Sequence, residues 1–350
     1  MGRRMTLAVL NVAYSLARVG PDAVGGAEQV VHALDGALAA DGAASLVVAC
    51  EGSATTGELY ATPAPPVPFD DGARRAACEA QRRAIERALG EREVSLVHMH
   101  GVDFHRSLPP PGVPVLVTLH LPPAWYPPEI FRIDRPDTWL HCVSPAQARA
   151  CPDSAPLLPP IENGVAVERF GALTPRRDRM HALALGRICP EKGYDVALDA
   201  ARRAGAPMLL AGRVFPYAEH QRYFSEEIVP RLDAERRFIG AASFERKRRL
   251  LSTARCLLVP SRAPETSSLV AMEALACGTP VIAFPVGALA EIVEHGRTGF
   301  LVHDEREMAD AIAAAEALEP EECRDAARTR FSRRTMLQRY LQRYAALAAH

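Results

Sequence analysis

The chain has 350 residues, of which 48% are hydrophobic and 24% are charged, and its formal net charge is −1. This length suggests two globular domains with sizeable cores. A nearly neutral chain lacks the basic excess that binding to a nucleic-acid backbone requires, which argues against nucleic acid as the main partner. The basic N-terminus precedes an apolar run too short for a signal peptide or a membrane span. We therefore expect a cytoplasmic protein, and peripheral contact with a membrane stays open.

Short apolar runs alternate with helical patterns along the whole chain. A first series of candidate strands covers residues 6–10, 45–50, 95–98, 113–119 and 140–143. A second series covers residues 182–185, 208–211, 237–239, 256–260, 280–284 and 299–302. Candidate helices cover residues 28–40, 74–89, 194–204, 244–252, 269–277 and 333–348. This alternation predicts parallel sheets whose two faces are covered by helices.

The two series are separated by a Pro-rich, irregular stretch, residues 152–180, which has the composition of a linker. We predict two Rossmann-like α/β domains that face a central cleft. The first domain covers residues 1–165 together with a C-terminal crossover helix at 333–350, and the second covers residues 166–332. Doubly wound sheets bind ligands at the carboxyl ends of their strands, so we expect the site in that cleft.

Eight cysteines occur without a CxxC pair or zinc-like spacing, which predicts buried thiols in a reduced compartment. His98, His100, His105 and His120 are the histidines best placed for a metal, but no cysteine or carboxylate near them in the sequence completes a site. We therefore expect no metal and no other cofactor.

Gly25 and Gly26 open the first long helix after the first strand. Glycines allow a phosphate to approach the backbone, and the N–H groups of a helix start supply donors. An ordinary turn between loop and helix explains the pair equally well. The segment is not a GxGxxG fingerprint, which disfavours a dinucleotide site.

Arg187 and Lys192 lie in GRICPEKG (residues 186–193), directly after the first strand of the second domain. Two cations at the carboxyl end of a strand suit a diphosphate, with arginine as a planar fork and lysine as a point charge. A surface salt bridge is the alternative for this motif taken alone.

The most specific pattern is residues 260–283, in which a strand ends, a loop carries Glu265, and a helix is expected to begin near Ser267. The amides at this helix start can bind phosphate oxygens. They belong to Ser268, Leu269 and Val270. Carboxylates would repel phosphate, so Glu265 and Glu273 are expected to face hydroxyl groups, Glu265 those of a sugar and Glu273 those of a ribose.

This E-x7-E block, followed by the PVIA strand, resembles the family 4 retaining glycosyltransferases of the GT-B fold. Matching segments elsewhere are GGAEQ, VHMHG, the strand that ends in His120, CVSPAQAR, GRICPEKG and EIVEHGRTGFLV. The resemblance covers nearly the full chain. It implies metal-independent transfer of a sugar, with retention, from a nucleotide-diphosphate donor, with a UDP-sugar as the expected donor. The acceptor would be a hydroxyl group of a small molecule, a lipid-linked compound or a glycan.

The resemblance also implies roles for single residues in the second domain. Glu265 would bind the hydroxyl groups of the donor sugar, and Glu273 would bind the ribose. Arg187 and Lys192 would neutralise the departing diphosphate, and the nucleotide base would lie near Ile239.

In the first domain, the resemblance implies that Gly26 donates its amide to the diphosphate and that His120 lies over the reacting sugar. The chain departs from the family at Ser267-Ser268, where Phe-Gly is common, which leaves the local sugar contacts open.

Two segments stay open to more than one interpretation. Residues 11–24 and 121–133 are candidates for shaping the acceptor pocket, in which Trp125-Tyr126 would either stack on a sugar or pack internally. The Arg-rich residues 74–92 are either a solvated helix face or an interface patch. The alternative functions are a nucleotide-sugar epimerase or hydrolase of the same fold, and a nucleotide-sugar-binding protein without transfer activity.

Overall fold

The computed structural model describes residues 7–21, 23, 25–64, 70–171 and 180–349. The chain divides into two compact units, which we call the N-unit, Met1–Glu162 with Met336–His350, and the C-unit, Asn163–Thr335. Thr6 of the first candidate strand, residues 172–179 of the expected linker, and positions 22 and 24 of the 11–24 loop lie outside the described residues.

Strands and helices alternate through both units. The described strands are β1 Ala8–Val12, β2 Ala44–Cys50, β3 Glu58–Thr62, β4 Leu96–Met99, β5 Val115–Leu119, β6 Thr138–Cys142, β7 Leu157–Leu158, β8 His181–Arg187, β9 Met208–Arg213, β10 Arg236–Phe238, β11 Ala254–Val259, β12 Val281–Ala283 and β13 Gly299–Leu301. The described α-helices are α1 Gly26–Ala40, α2 Asp71–Glu91, α3 Pro145–Arg149, α4 Val167–Phe170, α5 Tyr194–Arg203, α6 Ala218–Tyr223, α7 Phe244–Thr253, α8 Leu269–Ala276, α9 Leu289–Ile292, α10 Glu305–Ala314, α11 Pro320–Arg330 and α12 Arg333–Leu347.

The N-unit contains a seven-stranded parallel sheet in the order β3-β2-β1-β4-β5-β6-β7. Its central strands are buried along their whole length, as in β1 (AVLNV) and β5 (VLVTL), because helices cover both faces. The direction of winding reverses between β1 and β4. The carboxyl ends of these two neighbouring strands therefore form a topological switch point, where such sheets bind ligands.

The C-terminal helix α12 completes the N-unit core. Its buried positions recur at helical spacing. They are Met336, Tyr340, Tyr344 and Leu347. These side chains pack with Val9 and Leu116 of the sheet and with Leu34 of α1. Burial of large apolar surfaces holds the end of the chain against the first unit in sequence.

The C-unit contains a six-stranded parallel sheet in the order β10-β9-β8-β11-β12-β13. Strands β8 and β11 contribute side chains to two apolar clusters, one on each face of the sheet. On β8, the adjacent residues Ala182 and Leu183 belong to different clusters, because successive side chains of a strand point to opposite faces. Winding reverses between β8 and β11, so this unit also has a switch point at the carboxyl ends of two neighbouring strands.

The structure confirms the alternating parallel α/β architecture and both series of strands, and it adds elements that the sequence did not predict. The sequence did not predict edge strand β3. It also did not predict β7, which lies inside the expected linker and pairs with Leu140 and His141 of β6. The linker also contains helix α4. Helix α8 begins at Leu269, as the candidate helix at 269–277 predicted, and Ser268 is its N-cap.

Candidate active site

The loop after β8 places two cations at the switch point of the C-unit. Arg187 is the last residue of β8 and is exposed, and Lys192 lies in the short helical turn that follows. Gly193 has φ 64°, and a Cβ atom there would collide with the carbonyl oxygen of Pro260 at the end of β11. Only glycine allows this approach without strain, and it brings the loops after β8 and β11 together.

Lys192, Glu265 and Ser261 form a compact polar cluster between these two loops. The Lys192 ammonium donates a hydrogen bond of 2.5 Å to Glu265 Oε1, and the Ser261 hydroxyl donates one of 2.5 Å to the same oxygen. The side chains of Lys192 and Glu265 are only 23% and 12% exposed, so the ion pair is partly shielded from water. The cluster therefore fixes the position of Glu265 before any ligand binds.

The backbone of Glu265 is fixed as well. It forms an isolated parallel bridge with Gly287, and its carbonyl oxygen accepts a hydrogen bond of 2.7 Å from Ala288 N–H. Gly287 has φ 59°, and a Cβ atom there would collide with the Glu265 backbone. Glu265 is thus positioned by the connections after β8, β11 and β12 together.

Helix α8 begins beside this cluster. Ser268 is its N-cap, and within the described residues its side chain makes no capping hydrogen bond. The amides of Leu269 and Val270 belong to the first turn, where N–H groups have no partner inside the helix. The Ser267 hydroxyl is buried and has no hydrogen-bond partner among the described residues. The helix start therefore offers donors to an anion or to hydroxyl groups.

Glu273 lies one turn further along α8 and is almost completely buried. Its carboxylate accepts a hydrogen bond of 2.5 Å from the Lys247 ammonium on α7. Burial raises the pKa of the Glu273 carboxyl, and the positive charges of Lys247 and Arg333 oppose that rise. The sequence predicted Glu273 as a site residue but gave no indication of this buried ion pair.

Ile239 follows the edge strand β10, and its N–H donates to the Leu210 carbonyl oxygen on β9, at 2.9 Å. It lies at the carboxyl-terminal edge of the same sheet as Arg187, two strands away from β8. The structure therefore brings Lys192 and Glu265 into direct contact and places Ile239 along the same edge.

Gly25 and Gly26 lie at the start of α1 in the N-unit, Gly25 as N-cap and Gly26 as the first helical residue. The Glu28 carboxylate lies against Gly25 so closely that a Cβ atom there would collide with it. A carboxylate at a helix start satisfies the same N–H groups that would bind a phosphate. A phosphate bound here would therefore require the Glu28 side chain to move.

Buried histidines of the N-unit form a hydrogen-bond chain with a defined direction. The Cys142 carbonyl oxygen can only accept, so His141 Nδ1–H donates to it at 3.1 Å. His141 Nε2 then accepts from Thr118 at 2.6 Å, and the Thr118 oxygen accepts from His98 Nε2–H at 2.6 Å. His98 Nδ1 accepts in turn from the Tyr344 hydroxyl, at 2.6 Å. The chain links three strands to α12 through neutral rings, because burial lowers the pKa of His141 to about 3.

His120 follows β5, and its Nε2 lies 3.0 Å from His100 Nδ1. Burial lowers the pKa of His120 to about 4, so the ring is neutral at physiological pH. The Tyr126 hydroxyl accepts a hydrogen bond of 3.0 Å from the His120 N–H. Tyr126 is buried, whereas the neighbouring Trp125 is 48% exposed. Tyr126 therefore packs internally and holds the His120 backbone, and Trp125 is the member of the pair that can contact a ligand.

The structure adds detail to the Arg-rich residues 74–92, whose interpretation was open, and to the cysteines. Along α2 most arginines are exposed, and Arg82 and Arg83 lie within 3.9 and 3.8 Å of Glu86 and Glu79, which fits a solvated helix face. All eight cysteines are buried and unpaired, as the sequence predicted.

Sequence reasoning missed several side chains that shape the site. Lys247 and Arg333 act on Glu273 from distant segments of the chain, and Ser261 acts on Glu265 from the same loop. Cys189 and His220 were also missed, and they lie with Glu191 in one cluster. Ser261, four residues before Glu265, and Cys189, in GRICPEKG, lay within motifs that sequence reasoning singled out, but neither was given a role in the site.

Two family models match the chain. The model described as Glycosyltransferase Family 4 matches residues 24–149, and the model described as Glycosyl transferases group 1 matches residues 179–316. Together the two models cover most of both units.

Known proteins resemble the chain in sequence and in fold. The D-inositol 3-phosphate glycosyltransferase of Jonesia denitrificans is 34% identical over 182 residues, which are 48% of this chain and 40% of that protein. The chain thus matches less than half the length of its curated relatives. AviGT4, a glycosyltransferase involved in avilamycin A biosynthesis, is 25% identical with a TM-score of 0.70 over 98% of both chains. Anabaena HepE in complex with UDP-glucose is 19% identical, with a TM-score of 0.73 over 97% of this chain and 100% of that one.

The two parallel-sheet α/β units match the fold of the solved glycosyltransferases, which is the GT-B fold. The chain belongs to family 4 of the glycosyltransferases. In the part of the chain that is described, no helix is both long enough and apolar enough to cross a membrane.

Proposed function

We propose that the protein transfers a hexosyl group, with retention, from a UDP-sugar to an acceptor hydroxyl group, without a metal ion at the diphosphate. The observation that carries this proposal is the convergence of Lys192 and Ser261 on one oxygen of Glu265 at the switch point of the C-unit. A carboxylate fixed in this way has a second oxygen with which to accept hydrogen bonds from sugar hydroxyl groups.

The same cluster supplies charge for the leaving group. An ammonium group has three donors, so Lys192 can bind Glu265 and a phosphate oxygen at once. Arg187 is exposed at the end of β8. Helix α8 starts in the connection after β11, the neighbouring strand, and the amides of Ser268, Leu269 and Val270 belong to that start. Preorganised cations and amides stabilise the charge that builds on a departing diphosphate, which is the role of a metal in other transferases.

Glu273 is proposed to bind the ribose of the donor. Its buried carboxylate, held by Lys247, suits a vicinal diol, which offers two hydroxyl donors to one carboxylate. Ile239, on the same sheet edge, is proposed to contact the base. UDP is proposed as the nucleotide. HepE, a protein of the same fold, was crystallised with UDP-glucose.

Three residues of the N-unit complete the proposal. His120, a neutral ring held by His100 and Tyr126, is proposed to donate a hydrogen bond to the reacting sugar. Gly25 and Gly26 are proposed to bind the diphosphate once Glu28 has moved aside. The acceptor is proposed to be a small molecule, a lipid-linked compound or a glycan. The Jonesia relative is named for D-inositol 3-phosphate, which is a statement about that protein.

The first experiment measures thermal stabilisation of the protein by UDP, GDP, ADP and dTDP. A ligand that binds the native state raises the melting temperature because it raises the free energy of unfolding, by about 2.7 kcal/mol at a ligand concentration of 100 times the Kd. We expect a shift with UDP that EDTA does not abolish and that Glu273→Gln removes. Glu245→Gln, an exposed glutamate on α7, is the matched control and should keep the shift.

Turnover of UDP-sugars separates the alternative functions. With an acceptor mixture, we expect release of UDP and a glycoside whose anomeric configuration, read by NMR, equals that of the donor. Neither Mg²⁺ nor Mn²⁺ should raise this rate. Conversion of the donor without an acceptor would indicate an epimerase or hydrolase, and binding without conversion would indicate a binding protein. A lack of any nucleotide shift would refute the donor site itself.

A further inference from the structure

Three side chains with metal-binding groups converge beside the proposed donor site. Cys189 and Glu191 lie in the loop after β8, and His220 lies on α6, 29 residues further along the chain than Glu191. One ligand atom from each lies within 4.8 Å of the other two. No motif in the sequence joins these positions, so only the fold shows the cluster.

The cluster contains buried polar atoms without partners. His220 is 8% exposed, and its Nδ1 atom has no hydrogen-bond partner among the described residues. Glu191 Oε2 is buried and equally without a partner in the described part of the chain. Burial without a hydrogen-bond partner destabilises a polar group, so two such atoms in one cluster call for a ligand.

The surroundings hold these groups in place. The ring of His220 packs edge-on against Phe215 and Tyr217, with centroid separations of 6.4 and 5.1 Å. The Glu191 carbonyl oxygen accepts a hydrogen bond of 2.8 Å from Arg262 N–H, which fixes the loop against the segment after β11. The Cys189 side chain is fully buried. Ligands held by packing and by backbone bonds favour metal binding because less order must be gained on binding.

We propose that Cys189, Glu191 and His220 bind one zinc-class divalent cation. Thiolate, imidazole and carboxylate together are a ligand set that favours zinc over magnesium or calcium. Zinc bond lengths imply about 3.5 Å between ligand atoms in a tetrahedron, so no pair of these atoms would have to close by more than about 1.3 Å. A water molecule would fill the fourth position.

The proposed ion would act on the loop and not on the diphosphate. On binding, the Cys189 thiol releases its proton to solvent, so that thiolate and carboxylate together carry two negative charges. A divalent ion then leaves the site neutral, so the net charge beside Arg187 and Lys192 rises by one relative to the metal-free site, in which the thiol is neutral and the carboxylate carries one negative charge. The ion would tie the β8–α5 loop, which carries Lys192 and directly follows Arg187, to α6. This role goes beyond sugar transfer and does not depend on it.

The test uses the full-length protein, freed of metal by a chelator and titrated with Co²⁺ as the spectroscopic probe. We expect one equivalent to bind with a thiolate-to-cobalt charge-transfer band, and Zn²⁺ to displace it. Cys189→Ser should lose the band. His220→Gln and Glu191→Gln should weaken binding about 10-fold or more, because even the loss of a group that only orients a ligand costs about 10- to 100-fold. Cys50→Ser, a buried cysteine of the N-unit, and His303→Gln, an exposed histidine, should leave the titration unchanged.

Failure of this proposal is distinguishable from failure of the donor site. The absence of a stoichiometric Co²⁺ complex, or a charge-transfer band that survives Cys189→Ser, would overturn it. Far-UV circular dichroism checks that each variant folds. If Cys189→Ser does not fold, unchanged Co²⁺ affinity in both His220→Gln and Glu191→Gln would equally overturn the site. The UDP thermal shift is measured on the same samples and tests the donor site separately.

Discussion

Replacement of Lys247 by methionine should destabilise the C-unit in a way that depends on pH. Methionine keeps most of the side-chain length but removes the ammonium group that is hydrogen-bonded to Glu273, at 2.5 Å. The Glu273 side chain is only 5% exposed, so its carboxylate would then be buried without that partner. Removing one member of a buried ion pair typically costs about 3–5 kcal/mol.

The carboxyl group can limit this cost by taking up a proton. At pH 7 the solution lies 2.5 units above the ordinary Glu273 pKa of 4.5, and each unit corresponds to about 1.36 kcal/mol. Proton uptake therefore limits the cost of the unpaired charge at pH 7 to about 3.4 kcal/mol, and the charge of Arg333 reduces that cost further.

The sign of the pH dependence follows from the protons bound in each state. In the variant, the pKa of folded Glu273 lies above its unfolded value, so the folded state binds more protons between these two values. Stability then falls as pH rises through that window. The loss caused by Lys247→Met should be near zero at pH 4.5, the ordinary pKa, and should grow toward its limit at pH 7.

The assay is denaturant unfolding at pH 5 and pH 7, followed by far-UV circular dichroism. Both tryptophans, Trp125 and Trp139, lie in the N-unit, so tryptophan fluorescence would not report on the C-unit. Arg246→Met removes an exposed cation from the same helix and should change stability by about 0.5 kcal/mol or less. The reasoning would be refuted if Lys247→Met lowered stability equally at both pH values. It would also be refuted if the loss caused by Lys247→Met still depended on pH in a protein that carries Glu273→Gln.

Two further predictions concern a glycine and the buried histidines. Gly193→Ala should lower stability and weaken UDP binding more than the control Gly205→Ala. The two glycines have similar φ angles, 64° and 62°, but only a Cβ at Gly193 would collide with backbone. Equal losses of stability in urea unfolding would contradict this. The pKa of His141 falls from 6.5 to about 3 on folding, so the unfolded N-unit binds the extra proton between these values, and stability should fall as pH drops below 6.5. At pH 5 the loss of stability due to His141 is about 2 kcal/mol. Unfolding followed by tryptophan fluorescence would measure this loss, and His141→Gln should remove it.

The main elements of the fold were predictable because their signals are local. Strands such as β5 (VLVTL) and β1 (AVLNV) are apolar throughout, and helices such as α1 and α5 start within two residues of the predicted positions. Edge strand β3 was missed because only part of it is buried, and β7 because its two residues lie in a Pro-rich stretch. Weak burial leaves a weak pattern in the sequence.

The site residues divide in the same way. Glu265 and Glu273 were predictable because they lie eight residues apart in one specific motif, and Arg187 and Lys192 because they follow a clear strand. The partners of the glutamates were not predictable, since hydrogen bonds between Lys247 and Glu273, or Lys192 and Glu265, join residues 26 and 73 positions apart. Such distances carry no periodic signal.

The sequence by itself determined the class of architecture, the family and the segments that carry its charged groups, because these depend on local hydrophobic periodicity and contiguous motifs. The tertiary structure decided which charges are paired, which are buried and which atoms lack partners. It placed Lys247 on Glu273, ordered the histidine chain from Cys142 to Tyr344, and gathered Cys189, Glu191 and His220. These features depend on how parallel strands order themselves in a sheet, which brings distant residues together at one edge.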